Sequence, residues 1–183
     1  VQMCGIGYFA TTGLDEVDYF LTDKYLCHEY TNKYFVEKLL PMSESHFCYW
    51  PREEMPQEIH GAPCNAKGYI TFGSFNDPIK VNSTVLQTWQ RILTAVPNSR
   101  LLLKGRMFNA YQGVETMKNM LLEAGIELDR VELRGFSKDY LREYWDVDIA
   151  LDTFPYPGGG TTCVALYMGV PVITLGDGSH GGD

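Results

Sequence analysis

The stretch from Asp148 to Cys163, Asp-Ile-Ala-Leu-Asp-Thr-Phe-Pro-Tyr-Pro-Gly-Gly-Gly-Thr-Thr-Cys, restricts the fold of this sequence more than any other part of it. Val147, Ile149 and Leu151 make a short apolar run of the kind buried in a parallel strand. Gly158, Gly159 and Gly160 follow, and after them Thr161 and Thr162 open an apolar helical pattern through Ala165, Leu166 and Met168. A strand, a glycine loop and a helix start, in that order, predict a phosphate cradle. Glycines let backbone N–H groups approach an anion with no Cβ in the way, and the positive end of the helix dipole favours negative charge. Thr161 and Thr162 are expected to cap that helix with their hydroxyls. The glycines alone fit an ordinary strand-to-helix connection equally well.

The surrounding pattern places this loop in a repeating α/β context. Tyr69 to Phe75 reads as a strand. Asn82 or Ser83 caps a helix whose Val85, Trp89, Ile92, Leu93 and Val96 share one face, a stripe expected to be core. Leu101 to Lys104 is a short buried strand. A second helix runs from about Asn109, with Ala110, Val114, Met117 and Leu121 on its stripe and Gly125 at its end. Arg130 to Arg134, Val147 to Thr153 and Val172 to Leu175 supply three more strands, with a helix expected around Ser137 to Tyr144. Five strands with mostly helical connections imply a doubly wound parallel sheet, Rossmann-like in type. Such sheets bind ligands at the carboxyl ends of their strands, where the loops Phe75 to Lys80, Lys104 to Phe108 and Thr153 to Thr161 emerge. Residues 1–66 differ in texture, being rich in Tyr, Phe, Glu and Pro. The segment Pro51 to Gly68, with its three prolines, reads as a linker, and no independent core is evident before it.

Composition excludes several classes of function. The formal net charge is −8 over 183 residues, with 45% hydrophobic and 21% charged residues. A phosphate-tracking surface for nucleic acid would be rich in Lys and Arg, and an anionic membrane surface is disfavoured likewise. No apolar run reaches the roughly 18 residues of a membrane span, and the start, Val1-Gln2-Met3-Cys4, does not look like a signal peptide. Five cysteines without a C-x-x-C pair fit reduced thiols in the cytoplasm. Cys27-His28 and His46-x-Cys48 offer four conceivable zinc ligands, but adjacent Cys-His is poor chelate spacing, and no metal is expected.

Four segments recur at familiar spacings: Tyr69 to Lys80 (Tyr-Ile-Thr-Phe-Gly-Ser-Phe-Asn-Asp-Pro-Ile-Lys), Val96 to Lys104, Asp148 to Cys163, and Met168 to Thr174. Together they resemble the catalytic region of the O-linked N-acetylglucosamine transferase family, including its bacterial and Spindly-like members. Upstream, Val1-Gln2-Met3, Gly7-Tyr8, Thr11-Thr12-Gly13, Asp18 to Asp23 and Glu37-Lys38-Leu39 resemble the end of that family's first catalytic lobe. The resemblance implies a GT-B glycosyltransferase of two facing lobes. On that reading residues 1–66 form the tail of the first lobe and the interlobe linker. Residues 67–183 form the nucleotide-sugar-binding lobe, incomplete at its end. The implied activity is transfer of N-acetylglucosamine or a related sugar from a UDP-sugar to protein Ser or Thr, without a metal. Upstream TPR-like helical repeats are expected in the parent protein. The chain alone is expected to be inactive and to bind UDP weakly or not at all.

The resemblance also assigns roles. Lys80 matches the family lysine that contacts the diphosphate, and is the residue expected to act in catalysis by stabilising the leaving group. Gly158, Gly159, Gly160, Thr161 and Thr162 match the phosphate-cradling loop. Asp152 is expected to hold that loop through its backbone N–H groups. Two positions depart from the family pattern. Val164 stands where relatives carry an acidic side chain that meets the ribose hydroxyls, and Tyr140 stands where they carry a His near the nucleotide. These departures leave two further readings open: a different sugar donor, or a degenerate relative acting as a protein-interaction module. The family's catalytic base is expected upstream of Val1. Of the four histidines, His180 lies in a glycine-rich segment near the diphosphate edge, where a phosphate contact is one expectation and a loose terminal residue the other.

Overall fold

The computed structural model describes residues 1–7, 9–27, 29–58 and 60–176. His180 therefore lies outside the described residues, as do Tyr8 of the upstream match and His28 of the Cys-His pair. The chain divides into two compact units, the first centred on Val1–Trp50 and the second comprising Pro51–Leu175.

The first unit holds three parallel strands, β1 (Met3–Cys4), β2 (Tyr19–Asp23) and β3 (Lys38–Met42), in the order β1-β2-β3. A helix of one turn, α1 (Glu29–Asn32), separates the last two. Phe20 is fully buried and packs on Phe35 with ring centroids 4.8 Å apart. Much of what is buried here is polar. Asp23, at the end of β2, accepts from the backbone N–H groups of Tyr25, Leu26 and His46, and its Oδ2 lies 2.7 Å from His46 Nδ1. Glu37 accepts from the Thr11 hydroxyl at 2.7 Å and from Thr12 N and Oγ1 at 2.6 and 2.5 Å. Burial opposes ionisation of Glu37, but these hydrogen bonds from Thr12 and Thr11 outweigh it and hold the pKa at about 2.

The second unit is built on five parallel strands: β4 (Ile70–Ser74), β5 (Ser99–Lys104), β6 (Val131–Arg134), β7 (Ile149–Leu151) and β8 (Val172–Ile173). Their order across the sheet is β6-β5-β4-β7-β8. The chain runs outward from β4 through β5 to β6, then crosses back to lay β7 on the other side of β4. This is the doubly wound topology with its switch point between β4 and β7.

Register and alternation sort the side chains by face. Phe72, Leu101, Leu103, Ile149 and Leu151 point to one face, where α3 (Ser83–Ala95) and α4 (Tyr111–Glu123) cover them. α3 begins where Asn82 Oδ1 accepts from Val85 N at 3.0 Å, and its Val85, Leu86, Trp89 and Leu93 are buried. α4 buries Met117 and Leu121 completely and gives way to Gly125, whose φ of +78° only glycine adopts at little cost. The opposite face carries Gly73, Leu102 and Ala150. Gly73 is needed there because a Cβ would come within 2.5 Å of Val147 Cγ2.

Two elements depart from expectation. The segment Pro51 to Gly68 includes a helical turn, α2 (Cys64–Lys67), fastened to the sheet by Asp148, which accepts from Cys64 N and Thr71 N at 2.8 Å each. The helix expected around Ser137 to Tyr144 is a turn leading into a 3-10 helix, Arg142–Asp146. Its backbone bonds span three residues, as in Glu143 N to Tyr140 O at 3.2 Å. Two of its carboxylates are committed to cations at the strand ends. Glu143 meets Lys104 at 2.8 Å and Asp146 meets Arg134 at 2.7 Å. Among the described residues no helix is long and apolar enough to cross a membrane.

Candidate functional site

The switch point brings together two loops that are distant in sequence. After β4 the chain passes Phe75 and Asn76, then enters a 3-10 turn, Pro78–Lys80, capped by Asp77 Oδ1 accepting from Ile79 N. After β7 it runs from Asp152 through Tyr156 and Pro157 to the glycines. Lys80 joins the two, its Nζ donating to the Pro157 carbonyl at 2.9 Å and lying 4.1 Å from the centroid of the Tyr156 ring. Partial burial lowers the Lys80 pKa from its ordinary value, opposed by the carboxylates of Asp152 and Asp77.

Asp152 organises the loop. It is 6% exposed, and its Oδ1 accepts from Asn76 Nδ2 at 2.7 Å, Thr153 N at 2.8 Å and Gly158 N at 2.7 Å, while Oδ2 accepts from Thr174 Oγ1 at 2.8 Å. One carboxylate thus gathers the ends of β4, β7 and β8. The expected loop-holding role of Asp152 matches this geometry.

The three glycines differ in what they do. A Cβ on Gly158 would stand 2.7 Å from Asn76 Oδ1 and 2.8 Å from Thr162 Oγ1, so the protein's own packing demands glycine there. A Cβ on Gly160 would meet nothing within 4 Å. Helix α5 (Gly160–Tyr167) starts at that residue, with Gly159 as N-cap and no side-chain capping bond.

The expectation that Thr161 and Thr162 cap this helix is therefore corrected. Both lie inside its first turn, and the Thr162 hydroxyl donates back to the Gly158 carbonyl at 3.0 Å. Capping needs a residue outside the helix with extended backbone, and the glycines let the helix begin before either threonine. The N–H groups of Gly159, Gly160, Thr161 and Thr162 precede the first intrahelical bond, Cys163 N to Gly159 O at 3.1 Å, and have no partner within the helix. Four such amides at a helix start, with a lysine ammonium across the loop, are a set of donors of the kind that holds an anion with several oxygens.

Tyr140 is half-buried in the turn before the 3-10 helix. No hydrogen bond joins its side chain to the glycine loop among the described residues. The aromatic lining the cleft between the loops is Tyr144, 2% exposed and stacked on Phe75 with centroids 3.8 Å apart and planes 17° apart. Phe75, Asn76 and Tyr144 went unassigned in the sequence. The Asn76 amide and the Tyr144 ring were recoverable only from the pairing of β4 with β7. Ser74 Oγ and Asn76 Oδ1 are buried beside them without a hydrogen-bond partner among the described residues. Val164 is half-buried in α5, which has no acidic residue in its first turn. Among the described residues no group of three or more His, Cys, Asp or Glu is arranged to hold a metal ion.

Comparison with known proteins bears on this site. The model of the family described as Glycosyl transferase family 41 matches residues 54–180. A protein of Petunia hybrida named "Probable UDP-N-acetylglucosamine--peptide N-acetylglucosaminyltransferase SPINDLY" is 42% identical over 98% of this chain and 20% of its own length. Its namesake in Arabidopsis thaliana gives the same three figures. Among solved structures, a mutant O-GlcNAc transferase of Thermobaculum terrenum superposes with a TM-score of 0.89 at 32% identity, covering 100% of this chain and 34% of that one. A sucrose-phosphate synthase of Thermosynechococcus elongatus, at 17% identity and a TM-score of 0.57, shares the fold alone. The chain spans about a fifth of the length of the curated relatives it matches.

Proposed function

Since the chain belongs to glycosyl transferase family 41, we propose that it supplies the nucleotide-sugar site of a protein O-glycosyltransferase, one that moves N-acetylglucosamine from a UDP donor to a Ser or Thr hydroxyl. The observation that carries this reading is the meeting of Lys80 with the glycine loop at the switch point, 2.9 Å from the Pro157 carbonyl. In the reaction the acceptor hydroxyl attacks the anomeric carbon and gives its proton to a base outside this chain, the bond from that carbon to the phosphate oxygen breaks, and UDP departs with the bonding pair. Negative charge grows on the diphosphate as this happens. Lys80 and the free amides at the start of α5 supply compensating charge without reorganising, which is the general basis of electrostatic catalysis.

On this reading no divalent ion is required, the protein works in the cytoplasm, and TPR-like repeats outside this chain present the acceptor. Thr161 and Thr162 lie where their amides, rather than capping hydroxyls, face the diphosphate. A nucleotide contact for Tyr140 rests on the resemblance and on its place in the turn before the Arg142–Asp146 helix.

A panel of sugar nucleotides tests the proposal, applied to a form of the protein carrying the flanking regions of its relatives. Mass spectrometry is expected to find O-linked N-acetylhexosamine on an acceptor peptide with UDP-N-acetylglucosamine, with the yield unchanged by EDTA. Thermal protection by UDP no greater than that by AMP would overturn the assignment of the nucleotide. Turnover with another donor only would transfer the assignment to that sugar.

A further inference from the structure

A second cavity lies at the other edge of the same sheet, on the face opposite α3 and α4 and toward the amino-terminal ends of the strands. It encloses about 220 Å³ and is lined by Lys67, Tyr69, Thr71, Arg100, Arg130 and Glu132. Three cations thus face one carboxylate, in a chain whose formal net charge is −8. Two of these four charges are neutralised by neighbours. Lys67 meets Asp146 at 3.2 Å, and Glu132 meets Arg134 at 2.6 Å.

The two remaining guanidinium groups have no carboxylate partner among the described residues. Arg130 directs Nε and Nη2 at the carbonyls of Leu93, Val96 and Ser99 and at the Ser99 hydroxyl, which fixes its position without cancelling its charge. Arg100 lies over the Tyr69 ring, 4.9 Å from its centroid. Beside Arg100, on the neighbouring strand away from Arg130, Thr71 is 5% exposed, and its Oγ1 is buried with no hydrogen-bond partner among the described residues. A buried hydroxyl left in that state is uncommon in folded proteins.

We propose that this cavity binds a phosphate group, free or as a small monoester, through the guanidinium groups of Arg100 and Arg130 with the Thr71 hydroxyl as a further donor. A guanidinium is planar, weakly hydrated and matched to phosphate oxygens. Arg100 offers a two-donor edge and Arg130 its Nη1, since the Nε and Nη2 of Arg130 are committed to the Leu93, Val96 and Ser99 oxygens. The cavity is smaller than the roughly 300–1,000 Å³ that holds drug-sized ligands. That size suits a phosphate with few carbon atoms and excludes a sugar nucleotide. The site shares β4 with the glycine-loop cleft but uses none of its residues, and it does not depend on the transferase reading.

Calorimetric titration of the chain in chloride buffer, with inorganic phosphate and separately with a hexose monophosphate, tests the inference. One saturable site is expected. Arg100→Ala should weaken it roughly tenfold, while Arg91→Ala, on the exposed side of α3 and away from both sites, leaves it unchanged. Arg100 is exposed, so the variant is expected to fold, and Arg100→Gln provides a second probe that keeps the stem over Tyr69. Absence of saturable binding, equal affinity in the Arg100 variants, or loss in Arg91→Ala alone overturns the site. Tighter binding of the hexose monophosphate identifies a monoester as the ligand, and the reverse identifies free phosphate.

Discussion

Lys80 and Pro157 are 77 positions apart in the chain, yet the ammonium of one donates to the carbonyl of the other at 2.9 Å. The cation is thereby held beside the glycine loop by the protein's own carbonyl and by the Tyr156 ring. Lys80→Ala is accordingly expected to raise the dissociation constant of UDP by about 10- to 100-fold, equivalent to about 1.5–3 kcal/mol, and that of uridine by less than about twofold. Calorimetry with both ligands, on the form carrying the flanking regions of its relatives, decides the matter. Equal losses would place Lys80 in the support of the loop and not against the diphosphate.

Gly158 and Gly160 are expected to separate stability from binding. Gly158→Ala forces a Cβ against Asn76 Oδ1 and Thr162 Oγ1 and should cost about 1–3 kcal/mol in urea unfolding. Gly160→Ala meets nothing within 4 Å and begins a helix, so stability should hold or rise by about 0.4–1 kcal/mol. A new methyl group at the mouth of the cradle should nonetheless weaken UDP. A Gly160→Ala protein that binds UDP normally would exclude close approach of the diphosphate at that residue.

Removing the Asp152 carboxylate strips four donors of their shared acceptor in a buried place. Asp152→Ala should lower stability by on the order of 3 kcal/mol, with the loss concentrated in the second unit. Asp152→Asn keeps part of the acceptor capacity and should fall between. Denaturant midpoints with unchanged slopes provide the measurement. If Asp152→Ala is as stable as the parent, Asn76 and Gly158 must find other partners.

Acid should weaken the first unit through Glu37. Its folded pKa of about 2 lies below the ordinary 4.5, so the unfolded chain binds the proton more readily. The stabilisation is complete above pH 4.5 and is lost as pH falls from there toward 2. Asp23 is also held below its ordinary value: burial raises its pKa, and hydrogen bonds led by His46 more than reverse that effect. Unfolding free energies of the parent and Glu37→Gln should differ most at neutral pH and converge below pH 4.5. A gap independent of pH would assign the effect of Glu37 to shape and not to charge.

Where apolar periodicity carried the fold, the sequence was legible. The stripe of α3, the short buried strand at Leu101 to Lys104 and the glycine closing α4 all follow from patterns that neighbouring residues impose on each other. The strands of the first unit were hidden because they are held by buried polar residues, Thr22, Asp23 and Glu37, which give no apolar alternation. The pattern from Ser137 to Tyr144 predicts an ordinary helix, whereas the 3-10 helix at Arg142–Asp146 takes its geometry from Lys104 and Arg134 on other strands. In the site, the glycines and Lys80 were visible as local motifs. The stack of Tyr144 on Phe75 and the convergence of four donors on Asp152 were not, since each depends on which strands lie side by side.

The position of β4 between β5 and β7 makes the candidate cleft a seam between two parts of the sheet that need not open together. β4, β5 and β6 carry most of the core under α3 and α4, to which β7 adds Ile149 and Leu151, and β7 meets the rest of the sheet along its one pairing with β4. Partial openings of a native protein follow such boundaries. Any ligand clasped by the loops after β4 and β7 binds only molecules in which that pairing is made, and at a hundred times its dissociation constant it adds about 2.7 kcal/mol to the closed form. Ligand occupancy would then register as slowed amide exchange in β7 and β8, with the exchange of β5 and β6 left nearly as it was.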